Sequence, residues 1–357
     1  MTQTSERRLR VGVLGAGQIA QAAHLEACRK ARNAELYALC DAADDLLETV
    51  AATHRPRVTY TDYHQMLADP QVDAVVVAIA DQFHVPMALE ALKAGKHVLV
   101  EKPMGVDVGE CETLVAAVAA SGLVLQVGTM RRFDPGIAFA RDFIAEQIGE
   151  VLAMRAWYCD SAYRYEMTNA LQPLLESSRA AVRPEGDPKS DRRRYHLLGH
   201  ASHLVDLAHF LCGDIASVRA QLAEKYGAFS WFVSTRFADG SIGHLDLTMS
   251  VRMDWHEGFH VYGEHGSVVA KSFQPWYLRS SEVECFSDRD RTYHRPLGAD
   301  GHAFRRQLEG FAETILDGVR QAGAGAEDGL AAARVLTAIE RSLTTGETVE
   351  LSDLAAL

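Results

Sequence analysis

The chain has 357 residues, of which 48% are apolar, 24% charged and 8% aromatic, a composition that excludes disordered, collagenous and disulfide-scaffold classes. Lys plus Arg number 36 against 48 for Asp plus Glu, and a formal net charge of −12 argues against nucleic acid or an anionic membrane as partner. The longest uninterrupted apolar run, Ala74 to Ala80, falls far short of the roughly 20 residues that cross a bilayer. The start, Met1 to Arg10, is polar, with no apolar core of a secretory signal. Six cysteines are scattered without a CxxC pair, so a cytoplasmic, reduced setting is expected.

The first 130 residues alternate short Val/Leu/Ile runs with amphipathic stretches, which predicts parallel strands joined by crossover helices. Strands are expected at 10–14, 36–40, 57–60, 74–79, 97–100 and 123–127, with a helix from His84 to Ala94 closed by Gly95. From about Glu150 the rhythm becomes alternating, as in Trp231, Val233, Thr235 and Phe237 before the Asp239-Gly240 turn signal. Strands near 150–158, 215–225, 229–237, 242–252, 257–263 and 267–273 predict one open, mainly antiparallel sheet, preceded by a helix near 196–211. Helices at 303–317 and 327–344 close the chain. The expected architecture is α/β. It comprises a dinucleotide-binding Rossmann domain at 1–130, an α+β substrate-binding and oligomerisation domain at 131–300, and C-terminal helices at 301–357 packing back on the first domain.

Gly15-Ala16-Gly17-Gln18-Ile19-Ala20 follows the first strand and opens a helix, the GxGxxG/A turn whose glycines let backbone amides approach a pyrophosphate. Asp41 ends the second strand 21 residues past Ala20, where a carboxylate accepts the ribose hydroxyls and repels a 2′-phosphate. Gly15, Gly17, Gln18, Ile19 and Asp41 are therefore expected to bind NAD rather than NADP; a helix N-cap is the bland reading of Asp41. Glu101-Lys102-Pro103 places a charged pair at the C-terminal end of a buried strand, where open parallel sheets bind ligands. Oxidising a secondary alcohol requires a group that removes the hydroxyl proton, and burial brings a lysine toward that task.

With the glycine turn, Asp41 and the segment Asp73 to His84, the run Gly95-Lys96-His97-Val98 through Glu101-Lys102-Pro103 resembles the glucose-fructose oxidoreductase and inositol 2-dehydrogenase family over nearly the whole chain. The resemblance implies that Glu101 and Lys102 lie beside the nicotinamide ribose, that Lys102 handles the proton, and that the Lys102-Pro103 bond is often cis. It also implies that Ala80 and His84 border the cofactor, although Ala80-Asp81-Gln82-Phe83-His84 replaces the family's Thr-Pro-Asn-x-x-His. The segment His196 to Asp206 resembles the family's Asp-x-Gly-x-His-x-x-Asp in register at His203 and Asp206, but Gly199 stands where the family has an Asp and Ala201 where it has a Gly. His203 would hydrogen-bond the reacting hydroxyl, with His200 or His196 substituting in the proton relay. Arg131 would lie near nicotinamide and substrate, a salt bridge being the alternative.

Residues 196, 200, 203 and 206 also share a helical stripe, but collinear side chains are not a coordination sphere and no metal is expected. Trp157, Tyr158, Asp160, Tyr163, Tyr165 and Tyr195 bracket Arg192, Arg193 and Arg194; aromatic faces beside polar groups suit a sugar ring, whereas the bland reading puts Trp157 and Tyr158 in the core and the arginines in a solvated loop. The expected activity is an NAD-dependent oxidation of a secondary hydroxyl on a small carbohydrate, polyol or glycoside. Lys102, His203 and His200 would be catalytic, and Arg131, Tyr158 and Asp160 would help hold substrate. Two other readings remain open: a redox-neutral NAD-dependent glycosidase or lyase, motivated by Gly199, and a non-catalytic NAD-binding regulator. The outer sheet face, with Trp231 and Phe237, is expected to form a homodimer or homotetramer, as the resemblance also implies.

Overall fold

The computed structural model describes residues 7–164, 175–179 and 190–354. The chain divides into two compact units, one of residues 1–130, 172–190 and 304–330, the other of residues 131–171, 191–303 and 331–357.

The first unit holds six parallel strands, β1 (Leu9–Leu14), β2 (Ala34–Cys40), β3 (Val58–Tyr60), β4 (Ala74–Val77), β5 (His97–Val100) and β6 (Leu125–Val127), in the order β3-β2-β1-β4-β5-β6. This is a doubly wound sheet whose order reverses between β1 and β4, the switch point at which such sheets open a ligand crevice. β4 is wholly buried, as a strand covered on both faces must be. It stops two residues before the expected end because its ladder partners, Leu14 on β1 and Val100 on β5, stop opposite Val77. Crossover helices begin where the sequence supplies caps: Asp62 accepts from the His64 N–H before Tyr63–Ala68, and Asp107 from the Glu110 N–H before Val108–Ser121.

The second unit carries nine strands, β7 (Val151–Ser161), β8 (Ile215–Lys225), β9 (Ala228–Phe237), β10 (Ile242–Val251), β11 (His256–Gly263), β12 (Gly266–Ser272), β13 (Glu282–Ser287), β14 (Thr292–His294) and β15 (Val349–Glu350). Their order is β14-β13-β12-β11-β7-β10-β9-β8-β15, antiparallel throughout except for the β7–β10 pair. Three of these strands escape sequence reading. In β13 Glu282 and Glu284 alternate with buried Val283 and Cys285, too short a signal between charged flanks, and β14 and β15 are only three and two residues long. The helices Pro135–Gln147 and Ser202–Cys212 pack on one face of the sheet.

That packing corrects the expected assembly surface. Trp231 and Phe237 are 0% and 1% exposed and belong to the core, whereas Phe232, one residue on, is 47% exposed on the open face. The alternation divides β9 into an apolar set, Phe229, Trp231, Val233 and Phe237, which the helices cover, and a set with Ser230, Ser234 and Arg236 around Phe232, which faces away. The expected helix near 196–211 is three segments: Arg192–His196, a π-helical turn Leu197–Ala201, and Ser202–Cys212. Among the described residues, no helix is long and apolar enough to cross a membrane.

Candidate active site

In the first unit the loops that follow β1, β2, β4 and β5 bring the expected dinucleotide residues to the C-terminal edge of the sheet. Gly15 has φ +98°, and a Cβ there would collide with the Ala78 carbonyl, so only glycine permits this tight turn beside β4. A Cβ on Gly17 would meet nothing, which leaves an open cradle above the backbone amides, with Gln18 exposed and Ile19 half-buried beside it. Asp41 closes the turn from the neighbouring strand: its Oδ2 accepts from the Ala16 N–H at 2.7 Å and its Oδ1 from the Ala43 N–H at 2.9 Å. Two of the carboxylate's roughly four lone-pair directions are thus used, and two remain for ribose hydroxyls. These residues fit a dinucleotide.

At the end of β5, Glu101 is 4% exposed. Its Oε1 lies 2.9 Å from His24 Nε2 and its Oε2 accepts the Lys102 backbone N–H at 3.1 Å, so the carboxylate fixes the chain at Lys102 rather than facing solvent. Lys102 is half-buried, and the Lys102–Pro103 peptide is cis. His84 is buried, with Nδ1 2.7 Å from the Pro103 carbonyl and Nε2 3.2 Å from the Ile79 carbonyl. Burial lowers its pKa, and the neutral ring's single proton then ties the loop after β4 to the loop after β5. Ala80 is half-buried at the start of a short 3₁₀ turn, Asp81–Phe83.

In the second unit the structure brings Tyr158, His200 and His203 together. The Tyr158 ring stacks parallel to His203 at 6.1 Å, and its hydroxyl lies 3.4 Å from His200 Nδ1. Burial raises the Tyr158 pKa well above its ordinary value, so the phenol that meets His200 stays neutral. Two residues along β7, Asp160 is 5% exposed, and burial pushes its pKa up to about 6 despite an ion pair with Arg164 at 2.7 Å. His200 sits in the π-helical turn, a helix irregularity common at functional sites. A side chain on Gly199 would have room, its Cβ meeting only Tyr195 Cε2 at 4.0 Å.

Asp206 is committed elsewhere: both its oxygens accept from the Arg132 guanidinium, at 2.8 Å and 3.1 Å, a fork that pins the helix Ser202–Cys212 to the Met130–Phe133 turn. Arg131 is 4% exposed and forms a buried ion pair with Glu257, also donating to the Phe273 carbonyl at 2.8 Å. Both terminal nitrogens of its guanidinium thus have partners within its own unit, which is the salt-bridge alternative. Arg192 packs over the Phe229 ring at 5.7 Å, and Trp157 lies on the opposite sheet face from Tyr158, stacked on His256 at 5.5 Å. Tyr163 is exposed at 46%, and Tyr165 lies outside the described residues. Among the described residues no group of three or more His, Cys, Asp or Glu side chains could hold a metal.

Three contributors escape sequence reading. His24 reads as part of an apolar helix, and Gln21 likewise. Glu257 was detectable, because it shares strand parity with the buried Phe259 and Val261, and a carboxylate on an inward face requires a cation.

Residues 9–129 match the model for an oxidoreductase family with an NAD-binding Rossmann fold, and residues 138–269 match the GFO/IDH/MocA C-terminal domain. The chain belongs to the GFO/IDH/MocA oxidoreductase family. It is 27% identical over 358 residues to an inositol 2-dehydrogenase of Acidothermus cellulolyticus, covering 97% of this chain and 95% of the relative. It is 25% identical over 353 residues to a 1,5-anhydro-D-fructose reductase of Ensifer adhaerens, covering 96% and 98%. A levoglucosan dehydrogenase solved in complex with NADH shares the fold, with TM-score 0.78 and 22% identity over 97% of this chain and 99% of that one. As a GFO/IDH/MocA protein the chain is an oxidoreductase that binds a nicotinamide dinucleotide.

Proposed function

We propose that this GFO/IDH/MocA protein is an NAD-preferring dehydrogenase that oxidises a secondary hydroxyl of a sugar, polyol or glycoside. The observation that carries the reading is Glu101, which locks the backbone of Lys102 at the end of β5 while contacting His24 on the helix that leaves the glycine turn. The lysine is thereby held on the same sheet edge as the dinucleotide turn. The glycine turn and Asp41 would hold NAD, which would supply the hydride acceptor for the carbinol carbon. Lys102 Nζ then takes the hydroxyl proton, and a positioned base of this kind contributes typically 10²–10⁴-fold. In the second unit His203, stacked on the Tyr158 ring, and His200, 3.4 Å from its hydroxyl, support recognition of a hydroxyl-bearing substrate. Asp160, two residues along β7 from Tyr158 and paired with Arg164, adds a buried carboxyl to the strand that carries Tyr158. Asp41 favours NAD, because its charge opposes a 2′-phosphate.

Arg131, paired with Glu257, is proposed to act as a structural cation in the second unit rather than as a ligand contact. The open sheet face, bearing Trp157, Phe232 and Val269, is proposed to pair with a second copy in a homodimer or homotetramer. Relatives named for inositol, anhydrofructose and levoglucosan support a carbohydrate or polyol substrate. NADH formation on a panel of such compounds tests the reading; altered carbohydrate without net NADH would replace it with a redox-neutral cycle.

A further inference from the structure

A short piece of chain lies where the dinucleotide reading had assigned nothing. Residues 175–179 belong to the first unit, although 44 residues separate them from Met130, where that unit's first segment ends. They are fastened at two points. Gln21, 3% exposed on the helix that leaves the glycine turn, pairs its side-chain amide with both backbone groups of Glu176: Nε2 donates to the Glu176 carbonyl at 3.0 Å and Oε1 accepts its N–H at 2.8 Å. The same Nε2 donates to the Ala16 carbonyl at 2.7 Å, inside the turn itself. At the other end, Ser178 Oγ donates to Asp45 Oδ1 at 2.7 Å and the Arg179 N–H to Oδ2 at 3.1 Å. Asp45 opens the helix Asp44–His54, four residues past Asp41.

The two anchors therefore sit on the first turns of the helices that follow β1 and β2. Three extended residues, from 176 to 179, reach about 10 Å, which matches the spacing of neighbouring helices. A dinucleotide whose pyrophosphate rests on the glycine turn and whose ribose meets Asp41 has its adenosine half beyond the ends of these two strands. We propose that residues 176–179 form a strap across the adenosine end of the dinucleotide site, hinged at Gln21 and latched at Asp45, and that Gln21, Asp45 and Ser178 are positioning residues that slow dinucleotide release. The proposal rests on the dinucleotide reading above. The anchors differ in character: Gln21 is buried and tied to the turn, whereas Asp45 is exposed, so the Asp45 end opens first. The Ser178 hydroxyl holds the Asp45 carboxylate below its usual range, which keeps the latch charged in neutral solution.

The test is the rate at which the full-length chain releases NADH, followed by the fluorescence of bound NADH after a chase with excess NAD. Ser178→Ala cuts one latch bond and should speed release about 3-fold; Asp45→Ala cuts both and should speed it about 10-fold, with thermal unfolding little changed. Equal release rates in both variants and the parent would overturn the strap while leaving the dinucleotide site intact. Failure of the parent chain to bind NADH at all would overturn the site, and the strap with it.

Discussion

His24 Nε2 lies 2.9 Å from Glu101 Oε1, and both side chains are 6% exposed. The contact joins the helix after the glycine turn to the strand end that carries Lys102. His24→Ala would leave the Glu101 carboxylate buried without its partner and should cost about 1–3 kcal/mol of stability in urea unfolding. His24→Gln, which keeps a donor, should recover most of that loss. Equal stability of the alanine variant and the parent would show that the pair contributes nothing.

Asp41 carries the cofactor preference. Asp41→Asn keeps the acceptor for the Ala16 N–H but removes the charge that opposes a 2′-phosphate. Titration by NADH and NADPH fluorescence should show the ratio of the two dissociation constants moving at least about 10-fold toward NADPH, or roughly 1.4 kcal/mol. An unmoved ratio would place the selection elsewhere.

The two faces of β9 separate folding from assembly. Trp231→Ala removes a fully buried indole and should destabilise by about 3–5 kcal/mol. Phe232→Asp, on the exposed face, should change unfolding little but shift sedimentation toward the monomer. Sedimentation unchanged by Phe232→Asp would remove the open face from the proposed interface.

His196 gives stability a pH dependence of known sign. Burial, with Arg192 and Arg164 adding to it, lowers its pKa to about 4 from an ordinary 6.5. Between those values the unfolded chain binds a proton that the folded chain refuses, so this contribution is complete above pH 6.5 and lost as the pH falls. Urea unfolding should show the parent losing roughly 1.4 kcal/mol more than His196→Phe for each unit between 6.5 and 4. Asp160, with its pKa raised to about 6, works in the opposite direction, which is why the comparison with the variant is needed. Parallel pH profiles would contradict the assignment.

The dinucleotide half was legible because its signals are local. Gly15, Gly17 and Asp41 sit at fixed offsets from strand ends, and Glu101-Lys102 marks the end of an apolar run. The strands themselves followed from hydrophobic runs, with errors of one to two residues where neighbouring ladders end. What stayed hidden was long-range. Nothing in the order of residues couples His24 to Glu101 across 77 positions, Gln21 to Glu176 across 155, or Arg131 to Glu257 across 126. The inward face of β9 was legible: Phe229, Trp231, Val233 and Phe237 share one parity, whereas Ser230, Ser234 and Arg236 share the other, so the polar set and not Trp231 and Phe237 marks the open face. The π-helical turn at Leu197–Ala201 leaves no mark in a pattern read at 3.6 residues per turn.

Absorbance at 340 nm with NAD, across inositols, monosaccharides, sugar acids and anhydrosugars, separates a Lys102-dependent dehydrogenase from every other reading when the parent chain and Lys102→Ala are run in parallel. NADH should form with at least one of these classes, and turnover should fall at least about 10²-fold in Lys102→Ala while NADH still binds. Full turnover in Lys102→Ala, or no NADH from any class, would contradict the dehydrogenase reading.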